Sequence, residues 1–462
     1  MKIVLVGAGG SGISNLAYIL QELGYDNLLA IDGFESQITQ ALEKNGIKTL
    51  IGHGLYQIKP DDIVIYSEAV VNSQEVQSAF QLKLTNQQPL KIRNYFQFLG
   101  EMSKYFRTVG FSGTNGKSSS SALAITTAKK LIPQLGIGIV GALIPDFDSK
   151  SYYLNQEKKS EFRLLFDAIF TGRQVPYHLI KQRYFFLEAC EYKRHFLNLD
   201  LEKLAITNIE LDHTDYYQDL EDYISAYLQM IDKTSHEVFV LKNLEQEAIL
   251  SNPKTKILPV KERKLKYIRG EHTNQNASLV AGVLQSIDPR LSDEQILEAM
   301  YEFKGIWRRM EFLTTLPTGA KLYTDYGHIA SSLSVGYNML HQKYPEKKII
   351  AVFQPHQMHR VLVGWDDFYP ALAQFDQRAI YQIYAAREKI QDFAQEPLFQ
   401  EHHFTSVDEL GNYFAKEHNA EYLQNFDQVM IFLDKTTSDD ILVVFTAGDL
   451  DFLLRKKLGL LK

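Results

Sequence analysis

The chain has 462 residues, 45% of them hydrophobic and 23% charged, with a formal net charge of −7. That length exceeds what one core can serve, the composition excludes a disordered chain, and the acidic balance gives no bulk attraction for nucleic acid or anionic membrane. No uninterrupted apolar run approaches about 18 residues, so no membrane insertion is expected. Cys190 is the only cysteine, which rules out an intrachain disulfide and suits a reducing, cytoplasmic compartment. The opening MKIVLVGAGGSG is too short and glycine-rich for a signal peptide.

In chain order, residues 2–6, 62–66, 108–112, 184–188, 203–207, 237–241, 349–353, 429–433 and 441–445 read as buried strands. Residues 98–106, 116–132, 219–232 and 274–287 read as helices between them. Continuous rather than alternating apolar runs imply strands covered on both faces, hence parallel α/β sheets. The strands group into three α/β domains, with boundaries placed at 1–106, 107–304 and 305–462.

The first strand ends in VGAGGSGISNLA, where Gly7, Gly9 and Gly12 keep G-x-G-x-x-G spacing and Asp32 closes the next strand. This is a dinucleotide fingerprint, but the same loop cradles the diphosphate of any nucleotide. The strand at 108–112 runs into SGTNGKSSSSA. A strand that stops at glycines and restarts as a helix aims backbone N–H groups and a positive helix end at one spot. A phosphate fits there, with Lys117 adding a point charge and Ser118 offering a hydroxyl to magnesium. The strict G-x-x-x-x-G-K-[ST] pattern fails at Phe111, so the turn is tighter. A second phosphate loop argues against hydride transfer, which has no use for it. Glu188 ends the strand at 184–188, and Asn208, Asp212 and His213 follow the strand at 203–207. Open α/β sheets place their ligands at such strand ends, and a carboxylate with an imidazole there suits magnesium beside a triphosphate.

G-T-x-G-K-[ST] resembles the ATP loop of the Mur ligase family, ATP-dependent amide-bond ligases of the peptidoglycan stem peptide; the related folylpolyglutamate synthetases carry it too. VLVGAGGSGISNLA resembles the G-I-G-G-S-G-M-S-x-L-A opening of the alanine-adding branch. That likeness implies Gly9, Gly10, Ser11 and Gly12 at the diphosphate of a UDP substrate and Ser67 near the uridine. EACEYK and TNIELDHTD resemble E-A-D-E-S-D and T-N-I-E-x-D-H-x-D, implying Glu188 and His213 as metal ligands with Ser118. Cys190 replaces an aspartate in that run and reads as packed and structural. GEHTNQNASLV resembles G-x-H-N-x-x-N-A, implying Asn276 at adenine, while Thr273 replaces the first asparagine and Asn274 lies beside it.

FKGIWRRMEF resembles F-x-G-V-x-R-R-F-E, implying Arg308 or Arg309 as an arginine that reaches phosphate. YTDYGHIASSL resembles D-D-Y-G-H-H-P, implying Asp325 at the ribose and Tyr326 and His328 on the amino-acid side; Thr324, Ile329 and Ala330 depart. FQPHQMHR resembles F-Q-P-H-R-Y-x-R, which keeps His356 and Arg360 and puts Gln357 where the family has its first arginine. Residues 145–182 match least and read as a family-specific substrate loop.

The resemblance therefore implies an α/β chain of three domains. The first is a Rossmann-like UDP-binding domain, the second a P-loop-type ATPase domain with a mostly parallel sheet, the third a Rossmann-like domain for amino acid and nucleotide. ATP would lie on Gly113, Thr114, Asn115, Gly116, Lys117, Ser118, Ser119, Asn276, Arg309 and Asp325, with Lys117, Glu188 and His213 as the catalytic set. The amino acid would lie on Tyr326, His328, His356 and Arg360. ATP and Mg2+ are the implied cofactors, UDP-N-acetylmuramate and L-alanine the implied substrates, and a monomer or weak homodimer the implied state. The reaction would pass through an acyl phosphate, and Lys117→Ala would abolish turnover with the fold intact. A Mur-type ligase of other specificity, a nicotinamide-dependent oxidoreductase and a non-catalytic nucleotide-binding relative remain open at this point.

Overall fold

The computed structural model describes every residue except 1, 86–90, 148–149, 242–255, 261–270, 302, 304, 387 and 461–462. Parts of the GEHTNQNASLV motif and the 304/305 boundary thus lie outside the described residues. Three sheets form. The first holds β1 (Ile3–Val6), β2 (Leu28–Asp32), β3 (Lys48–Ile51), β4 (Ile63–Tyr66) and β5 (Lys91–Asn94), in the order β3-β2-β1-β4-β5. All its pairings are parallel. β1 and β4 are buried along their whole length, as their apolar runs require. The strand order reverses at β1, so a crevice opens at the carboxyl ends of β1 and β4, where Gly7–Gly12 and Ser67 stand.

The second sheet holds β6 (Arg107–Ser112), β7 (Leu135–Ile144), β8 (Lys150–Leu154), β9 (Tyr184–Glu188), β10 (Lys203–Ile206), β11 (Glu237–Leu241) and β12 (Lys256–Val260). Its order is β12-β11-β10-β6-β9-β7-β8, parallel except for the β7–β8 edge pair. β6 lies between β10 and β9, which brings the loop at 113–116 beside the ends of both. The third sheet holds β13 (Glu311–Thr315), β14 (Lys321–Asp325), β15 (Lys348–Gln354), β16 (Gln377–Tyr381), β17 (Glu421–Leu423) and β18 (Asp440–Thr446), ordered β13-β14-β18-β15-β16-β17. Only β13 is antiparallel to its neighbour. No described helix is long and apolar enough to cross a membrane.

Residues 1–265 with 274–306 form one compact unit, and 266–273 with 307–462 another. In the first unit a single hydrophobic cluster runs from Ile3 and Leu5 of the first sheet to Phe185 and Val240 of the second. The helix Lys159–Thr171 fills the space between. Phe170 stacks on Phe98 at 5.6 Å, Tyr25 meets Phe170 edge-on at 5.4 Å, and Arg163 caps the Tyr25 ring at 3.6 Å. Glu22 receives Lys150, the Tyr152 hydroxyl and Gln156. Residues 150–171 are thus packing between the sheets, not the loop expected from sequence.

The stretch 429–433 also departs from expectation: it lies within a helix, Phe426–Asp434, capped by the Asn425 side chain. Its apolar run buries Val429, Phe432 and Leu433 on one face and leaves Ile431 exposed. That is the i, i+3, i+4 spacing of a helix, which a five-residue apolar run cannot distinguish from a strand.

Gly100, in the helix Tyr95–Ser103, marks how tightly the two sheets' layers approach: a Cβ there would lie 2.4 Å from the Asn198 carbonyl oxygen. Inserting a methyl against backbone costs about 1–3 kcal/mol. Alanine's better helix propensity offsets at most about 1 kcal/mol of that. Gly100→Ala is therefore expected to lower the thermal midpoint, and an unchanged or raised midpoint would show that the helix shifts freely.

Candidate active site

The loop between β6 and the helix Lys117–Leu131 is glycine-dependent at two points. Gly113 (φ 132°) presses on Thr207, where a Cβ would come within 2.0 Å of the hydroxyl. Gly116 (φ 84°) lies against Asn276, whose amide would be 2.8 Å from a Cβ. The loop is stapled to the segment after β10. Asn115 N donates to Asn208 Oδ1 (2.8 Å), Thr114 Oγ1 to the Glu210 carbonyl (2.6 Å), and Glu210 N to Thr114 Oγ1 (2.9 Å). Asn208 thus holds the loop, and Asn276 stands against its second glycine.

Ser118 Oγ donates to Glu188 Oε2 at 2.8 Å, and Gly141 N donates to the same oxygen at 3.1 Å. The Lys117 ammonium curls back onto the Gly113 and Thr114 carbonyls and pairs with Glu191 Oε1 at 2.8 Å. Glu191 is fully buried and was not singled out from sequence; its only signal was a second acid three residues after Glu188. Tyr223 donates to Glu191 Oε1, His213 Nε2 lies 3.6 Å from it, and Oε2 is buried with no hydrogen-bond partner among the described residues. Burial alone would raise this carboxyl's pKa, but the Lys117 charge and the bonds from His213 and Lys117 hold it below its ordinary value. Burial likewise opposes the Lys117 charge, and Glu191, Cys190 and Glu188 outweigh it to raise the ammonium's pKa. Burial pushes the Cys190 thiol up to about 12, so it is no nucleophile.

His213 adopts φ 55°, with its amide tied to Asp212 Oδ1 at 2.7 Å and its ring against Tyr192. Ser118, Glu188, Glu191 and His213 therefore converge around Lys117. Among the described residues no three His, Cys, Asp or Glu side chains form a self-sufficient metal cage. Magnesium binds through one or two protein oxygens plus phosphates and water. The Ser118 hydroxyl and Glu188 carboxylate supply such oxygens.

In the first sheet's crevice, Gly7 (φ 85°) abuts Ser67, where a Cβ would be 2.7 Å from Cβ of the serine. Gly9 N donates to Asp32 Oδ2 at 2.7 Å and Phe34 N to Oδ1 at 3.2 Å. The acid that would read a ribose in a dinucleotide site is thus engaged by backbone amides of the glycine loop and of the turn after β2. Gly10 precedes the helix Ser11–Glu22, whose first amides, Ser11 and Gly12 among them, have no intrahelical acceptor. An anion fits these amides.

In the second unit Asp325 is buried, and both its oxygens accept backbone amides, from Met310 (2.8 Å) and Gly327 (2.7 Å). Arg308 (φ 56°) donates to the Thr446 and Gly448 carbonyls, while Arg309 lies over the Tyr326 ring at 5.3 Å. Tyr326, His328, His356 and Tyr384 follow one another at ring separations of 5.6, 6.0 and 5.6 Å. Burial, then the charges of Arg360 and Arg308, lowers the His356 pKa to about 4, so the imidazole is neutral near pH 7. Gln357 takes φ 68°.

The model of the Mur ligase middle domain matches residues 111–288, and that of the Mur ligase family catalytic domain matches residues 2–107. The chain belongs to the Mur ligase family. It is 26% identical to the UDP-N-acetylmuramate–L-alanine ligase of Caldicellulosiruptor saccharolyticus, over 97% of this chain and 96% of the relative. The solved UDP-N-acetylmuramate–alanine ligase of Thermotoga maritima superimposes with a TM-score of 0.73 at 19% identity, covering 99% of this chain and 98% of that one. A murein peptide ligase from Psychrobacter arcticus gives 0.67 at 17% identity, covering 100% and 98%. The three-sheet, mostly parallel α/β architecture is that of these ligases.

In this Mur ligase the Lys117–Glu191 pair changes what a lysine variant reports. Removing either partner strands a buried charge, at a cost of about 3–5 kcal/mol. Lys117→Ala is thus expected to destabilise the fold as well as the site. The double variant Lys117→Met/Glu191→Leu should lose less than the two singles combined, with a coupling of about 1–3 kcal/mol in urea unfolding. Strict additivity would show that the pair does not interact.

Proposed function

We propose that this Mur ligase joins the lactyl carboxylate of UDP-N-acetylmuramate to L-alanine, consuming ATP. The observation that carries the reading is the constellation of Lys117, Ser118, Glu188 and His213 at the ends of β6, β9 and β10. ATP lies with its phosphates on the loop amides of residues 113–119 and the positive end of the helix Lys117–Leu131. Lys117 turns from the Gly113 and Thr114 carbonyls toward the transferred phosphoryl group. Asn276, beside Gly116, lies on the nucleotide side. Magnesium, held through Ser118, Glu188 and His213, would neutralise charge on the β- and γ-phosphates.

The UDP diphosphate lies on the amides of Gly10, Ser11 and Gly12, with Ser67 beside the uridine. The substrate carboxylate attacks the γ-phosphorus, ADP leaves, and the acyl phosphate then yields to the amine of alanine with release of phosphate. We assign the amino acid to Tyr326, His328, His356 and Arg360, and nucleotide contacts to Arg309 and Asp325. In this reading residues 1–106 carry UDP, 107–304 ATP and 305–462 the amino acid. Use of ATP and a single free cysteine suit the cytoplasm.

A second reading, another amino acid in place of alanine, is favoured by Gln357. A neutral side chain stands where a second guanidinium would hold a carboxylate. Phosphate release from ATP and magnesium with UDP-N-acetylmuramate, measured with L-alanine, glycine, L-serine or no amino acid, tests both. Release that requires the sugar nucleotide and is fastest with L-alanine is expected. Release fastest with another amino acid favours the second reading, and release independent of the sugar nucleotide defeats both.

A further inference from the structure

Tyr95 has no place in the assignments above, yet it stands between the two phosphate loops of the first unit. It opens the helix Tyr95–Ser103 at the carboxyl end of β5, with Asn94 as the cap. Its ring lies directly on Gly12, where a Cβ would come within 2.9 Å of Cε1 and 3.0 Å of Cζ. The hydroxyl-bearing end of the ring therefore covers the first turn of the helix Ser11–Glu22, and Gly12 is required for that approach. The same helix reaches the second sheet through Asn15, whose amide donates to the Val140 carbonyl at 3.3 Å. The next residue, Gly141, donates to Glu188, which in turn receives Ser118. A continuous run of contacts thus leads from the diphosphate loop to the phosphoryl-transfer site.

Three further observations place Tyr95 in this run. Its ring meets Phe96 edge-on at 5.3 Å, and Phe96 stacks on His195, at 4.0 Å and 11°, in the segment that follows Glu191. Burial, and after it the charge of Glu188, raises the phenol's pKa, so the group remains an O–H donor near neutral pH. Its hydroxyl makes no hydrogen bond among the described residues. Tyr95 is half-buried and its hydroxyl is not among the sealed, partnerless groups, so it faces open space in which a ligand can meet it.

We propose that Tyr95 positions the sugar-acid part of the substrate, donating its hydroxyl to an oxygen of the N-acetylmuramoyl group between the diphosphate over Gly12 and the carboxylate beside Glu188. The proposal rests on the ligase reading. A substrate with its diphosphate at one loop and its carboxylate at the γ-phosphate must carry its sugar through the space that Tyr95 lines. A single directed donor there recognises the muramoyl group and not the UDP handle.

The test is calorimetric binding of UDP and of UDP-N-acetylmuramate to full-length wild-type protein and to Tyr95→Phe, with thermal unfolding of both. The variant keeps the ring over Gly12 and removes only the O–H, so the thermal midpoint should be unchanged or higher. UDP should bind as before, and UDP-N-acetylmuramate should bind roughly 10- to 100-fold more weakly. In turnover the loss should appear in KM for the sugar nucleotide and leave KM for ATP unmoved. Equal losses for UDP and UDP-N-acetylmuramate, or no loss for either, overturn the role of Tyr95 while leaving the ligase reading intact. Wild-type protein that does not bind UDP-N-acetylmuramate overturns the ligase reading and this proposal with it.

Discussion

Everything in the first unit depends on one hydrophobic core shared by two sheets. Each sheet ends in a glycine loop suited to phosphate, and a loop alone fixes only a local anion site. What fixes the separation of the two anion sites is the packing of Phe98, Phe166, Phe170 and Phe185 in one cluster. Burying such a side chain stabilises by about 1.5–3 kcal/mol, so the spacing rests on several independent contacts. Phosphoryl transfer needs reacting atoms about 3–3.5 Å apart. On the proposed reading a substrate anchored at one loop attacks phosphorus at the other, and this tolerates little slippage between the sheets. The helix Lys159–Thr171 and β8 supply much of this bracing, with buried apolar side chains on their inner faces.

The charges at the second loop follow a different logic. A buried ion pair seldom adds stability over an apolar pair of the same size, because desolvation offsets the attraction. Lys117 and Glu191 are buried together all the same, with Tyr223 bonded to the Glu191 carboxylate and Tyr217 to its carbonyl. The arrangement keeps an ammonium desolvated, oriented and charged before any phosphate arrives. One oxygen of Glu191 is buried without a hydrogen-bond partner among the described residues. That places the cost where electrostatic preorganisation is useful and makes the loop a poor place to seek stability.

Sequence made the central features legible where one physical requirement dominates. Strands covered on both faces must be apolar throughout, so β1, β4, β6, β9, β10 and β18 stand out. Backbone approach to a phosphate requires glycine, so both loops stand out too. Edge strands meet neither requirement: β3 is KTLI with both ends exposed, and β17 is three residues with one of them buried. Residues 429–433 were misread because a helix face and a buried strand are equally apolar over five positions. Glu191 was invisible for another reason. Its function comes from a lysine distant in sequence folding back onto it, and no spacing rule encodes that contact. Asp32 shows the converse: its position matched a ribose-reading acid, but its oxygens are engaged by the Gly9 amide of the glycine loop and the Phe34 amide.

The second unit shows how far likeness of fold can be carried toward specificity. Asp325 has both oxygens committed to backbone amides, so on the proposed reading it acts chiefly by holding the Tyr326–His328 turn in shape. Arg308 is anchored to backbone carbonyls, which leaves Arg309 as the guanidinium of that pair better placed to meet a ligand. His356 is neutral near pH 7 because burial and two arginines oppose its protonation, and Gln357 brings no charge. An amino-acid carboxylate here would therefore rely on Arg360 and on neutral donors, a weaker hold than a pair of guanidinium groups. Such a site selects less by charge than by the shape of the Tyr326, His328, His356 and Tyr384 rings. On the proposed reading, discrimination between substrates that differ by one methyl group is then limited to the modest energies of apolar packing.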